Sequence, residues 1–270
     1  ELLEGLVSST VSKTVNVMFD KTSGRAFYTS TAPQSVNAFT ASLTGALPAD
    51  QAYVDGHVRR SDGSYVFTMG KTTITATDQA AVAVTGDAKL DLRNNDMAVS
   101  ATGSSAGLLA GMSASGIGAT LSVGGVHELS VTAENSADGK ASAGIFAENG
   151  GTVHIENPSG VLKLSATGKA ARDTAGIIAK GNAHVTVDGI IEMDADGDEV
   201  EDASQKKNKG AKQAILSDSA TVTVGGGTIR AANGAHIARL EGRDAALRIN
   251  VKDGKVGQYK TTLQGDIVDN

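Results

Sequence analysis

The 270-residue chain has no cysteine and no tryptophan, only 3 prolines, and aromatic residues at just 3 %. Without cysteine there is no disulfide framework, no zinc ribbon and no thiol nucleophile. Without large rings the interior cannot be a conventional globular core of aromatics and leucine. A net charge of −6 argues against a general nucleic-acid binder, which carries a basic patch or stripe. No apolar run reaches the ~18 residues that a membrane-spanning helix needs. The chain opens on ELLEGLVSST rather than on the basic start of a signal peptide, so it reads as a processed piece of a longer protein.

What is abundant is small or β-branched: alanine, valine, isoleucine, threonine and 33 glycines. These residues suit a thin, pleated core. They also recur. AAVAVTGDAKLDL (80–92) matches AGIIAKGNAHVTV (175–187), and AGIFAENGGTVHI (143–155) and QAILSDSATVTV (213–224) fit the same template. AGLLAGMSASGIGATLSV (106–123) and AHIARLEGRDAALRI (235–249) are looser copies. The alternating pairs Leu90/Leu92, Leu121/Val123, Val153/Ile155, Val185/Val187, Val222/Val224 and Leu247/Ile249 mark the register, at spacings of 31, 32, 32, 37 and 25 residues.

A second alternating segment follows each mark: DMAVSA (96–101), HELSVTA (127–133), VLKLSA (161–166), IIEMDA (190–195) and TIRAA (228–232). Turn formers such as GG, NPSG, DG and GGG separate the two. Each unit thus holds three short strands and no stretch of helical period. One unit cannot bury its apolar face alone, but stacked units can. The expected fold is all-β: a right-handed parallel β-helix of six to eight coils, with three short strands per coil and ladders of Val, Ile and Leu inside. Residues 71–270 form the coils, with a charged insertion at 194–212. Residues 1–70 are expected to be an N-terminal cap or degenerate coils. Within them, ELLEGLVSSTV suits a short amphipathic helix, and SYVFTMGKTTITA (64–76) suits a coil with Tyr65 and Phe67 inward and Ile74 in the next strand.

In such a fold chemistry comes from outward side chains and loops. The second strand offers the column Ala98, Ser130, Lys163, Glu192 and Arg230, a solvated charge ladder or a sugar-binding strip. The first offers Asp91, Ser122, His154, Thr186, Thr223 and Arg248, without a usable Ser–His–Asp order. His154 and His184 are diagonal, and His57, His127 and His236 are out of register with them, which suggests exposed, unconnected histidines rather than a zinc site. Glu156 and Asp188 should stack within roughly 5 Å across adjacent coils. They could share a proton or a cation, or serve glycoside hydrolysis. Both precede turn residues, where carboxylates splay into water.

The densest cluster is DADGDEVED (194–202), six carboxylates in nine residues, followed by QKKNKGAK. Against a calcium loop it places Gly197 at position 4, Glu199 at 6 and Gln205 at 12, so the pattern departs from D-x-D-x-D-G with a closing acid. Asp194, Asp196 and Asp198 remain a weak Ca2+ candidate. The more ordinary reading is a charge-compensated corner loop that offers a binding epitope through Asp194, Asp196, Asp198, Glu199, Glu201, Asp202, Lys206, Lys207 and Lys209. No catalytic or cofactor-binding residues are assigned.

Three-strand coils of small residues, Asn/Asp/Gly turns, no cysteine and the closing DGKVGQYKTTLQGDIVDN (253–270) together resemble the passenger regions of Gram-negative autotransporters over roughly residues 70–270. The resemblance implies export to the periplasm, threading through a C-terminal outer-membrane β-barrel absent from this chain, and display on the cell surface. It implies a non-enzymatic stalk acting in adhesion or self-association, with an extracellular or host-surface ligand and no nucleic acid. No G-D-S-G-like protease motif is present. The competing expectation is a β-helical polysaccharide lyase or glycoside hydrolase acting on acidic polysaccharide.

Overall fold

The computed structural model describes residues 72–86, 89–93, 96–124, 128–156, 161–197, 211–252, 255–256 and 261–270, together with strand placements within 7–11, 16–20, 25–29, 34–43, 58–59 and 65–66. Among them there is no α-helix, and one 3-10 turn, Ala171–Asp173. Most of the rest is a parallel β-solenoid of about five turns, slightly fewer than the sequence suggested.

Three ladders of parallel strands run along it. Ladder A stacks Lys89–Arg93, Thr120–Gly124, Thr152–Ile155, the first parts of His184–Asp196 and Thr221–Ala232, and Ala246–Ile249. Ladder B stacks Thr72–Thr77, Asp96–Gly103, Glu128–Asn135, Val161–Gly168, the later parts of the same two long strands, and Thr261–Gln264. Ladder C stacks Val82–Gly86, Leu109–Ser115, Ser142–Glu148, Ala175–Lys180, Gln213–Asp218, His236–Glu241 and Ile267–Asp269. Each sequence mark pairs with the next: Leu90, Leu121, Val153, Val185, Val222 and Leu247 are successive Cα partners.

One continuous core fills the tube. Leu121, Val153, Val185 and Val222 of ladder A meet Leu129, Leu162 and Ile191 of ladder B, and Met112, Ile145, Ile177 and Ile215 of ladder C, all fully buried. Each contributes about 1.5–3 kcal/mol on leaving water. Small residues let the ladders close. A Cβ on Gly144 would come 2.8 Å from the carbonyl oxygen of Gly176, and one on Gly111 would come 2.6 Å from Val131 Cγ1. These glycines of AGLLAG and AGIF therefore point inward beside the following apolar residue, and ladder C lies flat against ladder B.

The C-to-A corners stack as well. Asn149, Asn182, Ser219 and Asp244 take left-handed backbone, which asparagine and aspartate tolerate best among side-chain-bearing residues. Gly150 N–H donates to Gly181 O, Asn182 N–H to Ser219 O, and Ser219 N–H to Glu241 O, so each turn is bonded to the next.

The A-to-B corner differs from expectation. DG (188–189) and GGG (225–227) do not break the chain: His184–Asp196 and Thr221–Ala232 each run through both ladders. The register shifts between Val187 and Ile190, with one more residue on that strand than on its partner. Thr228, not Arg230, therefore continues the column from Lys163 and Glu192, and Arg230 pairs with Asp194. The expected Lys–Glu–Arg column is corrected by this bulge.

At the N-terminal edge, Gln34–Leu43 runs parallel to both Thr72–Thr77 and Val82–Gly86 and is itself paired antiparallel with Val7–Val11. Residues 7–11 are thus a strand rather than part of the expected amphipathic helix. β-branched Val and Thr favour the sheet edge, and a helix so short is marginal alone. Residues 1–6 lie outside the described residues. Arg25–Thr29, which pairs antiparallel with Asn16–Asp20, covers the edge of ladder A beside Lys89–Arg93. Tyr65–Val66 instead pairs antiparallel with Val58–Arg59, so it does not open a coil as SYVFTMGKTTITA suggested. Phe67 lies outside the described residues, and Ile74 is buried in ladder B as expected.

Candidate functional site

Among the described residues, three outward regions bring polar side chains together. The first is the base of the acidic loop. Asp194 and Asp196 lie on strand, not in the loop, on the outer face of ladder B. Arg230 Nε donates to Asp194 Oδ1 at 2.8 Å, and another guanidinium nitrogen is 3.7 Å from Glu192 Oε1. The bond to Asp194 and its charge hold the Arg230 guanidinium even above its ordinary high value. Asn233 Nδ2 donates to Asp196 Oδ1 at 2.8 Å. The two aspartates are therefore engaged by side chains of the next coil. Among the described residues no three His, Asp or Glu side chains are grouped to hold a metal. Asp198, Glu199, Glu201, Asp202, Lys206, Lys207 and Lys209 lie outside the described residues. The insertion is pinched where it leaves the shaft: Ala211 N–H donates to Asp196 O, Gly197 N–H to Ala232 O, and Lys212 Nζ to Gly197 O.

The second region is on ladder A. His154 Nε2 and Asp188 Oδ2 lie 2.5 Å apart, one coil from the other. His154 is thus not unconnected, as the sequence suggested. Glu156 and Asp188 follow the Cα partners Ile155 and Val187, as read from the sequence. Asp188, however, sits at the bulge, and its carboxylate is buried toward His154 rather than splayed into water. Ser122 and Thr186 are the Cα partners of His154 on either side.

The third region, on the outer face of ladder C, was not foreseen. Its outward positions hold Ala143 and Ala175 in two coils, then Gln213 and His236 in the next two. In the neighbouring outward column Phe146, Ile178 and Leu216 give way to Arg239 and Val268. Where alanine and isoleucine become glutamine, histidine and arginine, a groove of about 420 Å³ opens, lined by Arg172, Lys212, Gln213, His236, Arg239, Val268 and Asn270. Gln213 is fully buried; its Nε2 donates to Arg172 O at 2.8 Å and Thr174 O at 2.6 Å, and its Oε1 accepts no hydrogen bond.

Arg239 is also buried. Its Nε is 2.7 Å from Glu241 Oε1 and its terminal nitrogen 3.4 Å from Asp173 Oδ1. The closer contact is ionic rather than directed, since the Nε–H has no acceptor along its axis. Arg172, by contrast, is 76 % exposed and reaches Glu241 only at 3.8 Å. His236 Nδ1 lies 2.7 Å from Asp266 Oδ1, and that bond holds the Asp266 carboxyl below the usual aspartate range. The signal was present in the repeat: QAIL in place of AGII puts glutamine where the template has alanine. Comparison of the chain with family models, with curated proteins and with solved structures gave no match in any of the three.

Proposed function

We propose that the chain is a non-enzymatic cell-surface passenger, a stalk acting in adhesion or self-association of a Gram-negative bacterium. The observation that carries this reading is the solenoid itself. About five turns share one apolar core and one stack of bonded corners, and the ladders continue through the strands on both sides of residues 198–210. Such a body presents surface over a long distance, and a chain without cysteine threads an export pore unhindered. The acidic–basic insertion is the epitope this reading favours.

The experiment is expression of the complete gene in a Gram-negative host, with protease added to intact cells. Loss of the chain's signal before lysis supports surface display. Protection until the envelope is broken contradicts it. The alternative, a β-helical lyase or hydrolase, draws on one observation, the cationic groove beside Asp173 and Glu241. Release of unsaturated or reducing ends from an acidic polysaccharide would favour it.

A further inference from the structure

We propose that the outer face of ladder B pairs with the same face of a second copy of this chain, through Val161, Lys163, Ile190 and Glu192. Among the described residues four large hydrophobic side chains are exposed. Two of them, Val161 at 39 % and Ile190 at 41 %, are Cα partners on neighbouring coils. Two positions along the same strands, Lys163 and Glu192 are Cα partners as well. Beside them Val161, Ile190, Ile191, Glu192, Thr228 and Arg230 line an open depression of about 290 Å³, deep enough to receive an apolar side chain.

The charges on this face complement themselves. Glu192 pairs with Arg230 at 3.7 Å, and Lys163 is in no ion pair among the described residues. Successive coils thus present Lys163, then Glu192 with Asp194, then Arg230. The two-fold axis of a face-to-face dimer lies in the plane between the faces. Running along the solenoid, it would set Lys163 on Lys163, Glu192 on Asp194, or charges on apolar side chains. Running along the strands through the Glu192 coil, it would set Glu192 on Glu192. One step toward Arg230, it would offer that arginine an Asp194 like the one it already bonds, and leave Val161 and Ile190 unmatched. Between the Lys163 and Glu192 coils, it sets Lys163 over the second copy's Glu192 and Val161 over its Ile190, each twice. Asp194 then meets Ser165 and Arg230 meets Thr132, so no like charges face. Packed sheets lie about 10 Å apart, which a Lys and a Glu side chain together span. Five coils of eight-residue strands offer about 24 Å by 23 Å, roughly 550 Å² per copy. A standard interface takes about 800 Å² from each partner, so this dimer is a weak one.

The test is sedimentation equilibrium of the full chain at low salt, from about 10 µM to about 1 mM, where weak dimers form. The parent should show a reversible monomer–dimer equilibrium that weakens as salt is added. Lys163→Glu and Glu192→Lys should each weaken it about tenfold or more, because each reversal acts at two symmetric contacts. Mixed in equal amounts, the two variants should associate as the parent does, since every Glu then meets a Lys. Thermal melts check that both fold. Val161→Asp, at an exposed position outside the charge pairs, should weaken the dimer independently. A parent that stays monomeric, single reversals that dimerise like the parent, or a mixture no tighter than its components would each overturn the proposal. The inference rests on the self-association part of the reading above. A monomeric parent would end it while leaving surface display, read by protease on intact cells, standing.

Discussion

His154 on one coil of ladder A is joined to Asp188 on the next, Nε2 to Oδ2 at 2.5 Å, with the aspartate almost wholly removed from solvent. The bond spans the point where the chain bulges from ladder A into ladder B. It anchors a carboxylate that the bulge has turned inward.

Removing the imidazole should therefore cost more than a surface histidine would. His154→Ala is expected to destabilise by about 1–2 kcal/mol, the usual loss when a buried charged acceptor loses a donor. His184→Ala, one coil on and exposed, serves as the control. Equal urea midpoints for the two variants would contradict the bond's role.

Packing at the B–C seam gives a sharper contrast. Gly144→Ala places a methyl 2.8 Å from Gly176 O, whereas Gly107→Ala meets nothing within 4 Å. The first should lose about 1–3 kcal/mol through overpacking. The second should be nearly neutral, and a thermal melt separates them.

The His236–Asp266 bond has a pH signature. Asp266 titrates below its ordinary range because His236 bonds to it. A depressed folded pKa means the contribution is fully present above the ordinary aspartate value of about 3.9 and is lost as pH falls through the lower folded value. Asp266→Asn should be less stable than the parent at pH 6, with the difference shrinking as acid is added toward pH 2. A difference that grows with acid would reverse the sign.

The described residues on either side of the insertion, Asp196, Gly197, Ala211 and Lys212, are bonded to one another and to the next coil. Replacing 198–209 by two glycines keeps the Ala211-to-Asp196 bond within reach. Loop closure changes slowly with length, so the melting temperature should shift by only a few degrees. Loss of the cooperative transition would place the insertion in the core instead.

Much of this architecture was legible in the residues. The inward marks from Leu90 to Leu247 paired as read, because a period-two pattern with one buried face tolerates no slip. Three things were not legible. Turn-forming DG and GGG signalled breaks, but glycine also permits the close approach of two bent strands: a Cβ on Gly225 would come 2.8 Å from Gly189 N. That bend carried Arg230 to Asp194 instead of Glu192. The pairing of His154 with Asp188 is diagonal and arises from the bulge, which no local spacing announces. The groove appears only when Gln213, His236 and Arg239 are stacked beside Arg172, which is brought in by the turn at Ala171–Asp173.

All these placements depend on which residues face one another across coils, and a chain without native cysteine allows that to be measured directly. Paired cysteines at Ser130 and Lys163, and at Asp194 and Arg230, replace Cα partners on adjacent parallel strands, about 4.8 Å apart. That separation is within disulfide reach. Pairs one step out on the same face, Ser130 with Ser165 and Glu192 with Arg230, lie beyond it. Mild oxidation followed by free-thiol titration should show both in-register pairs closing and both displaced pairs remaining reduced. Closure of the Glu192–Arg230 pair in preference to Asp194–Arg230, or of Ser130–Ser165 in preference to Ser130–Lys163, would contradict the register on which every outward site rests.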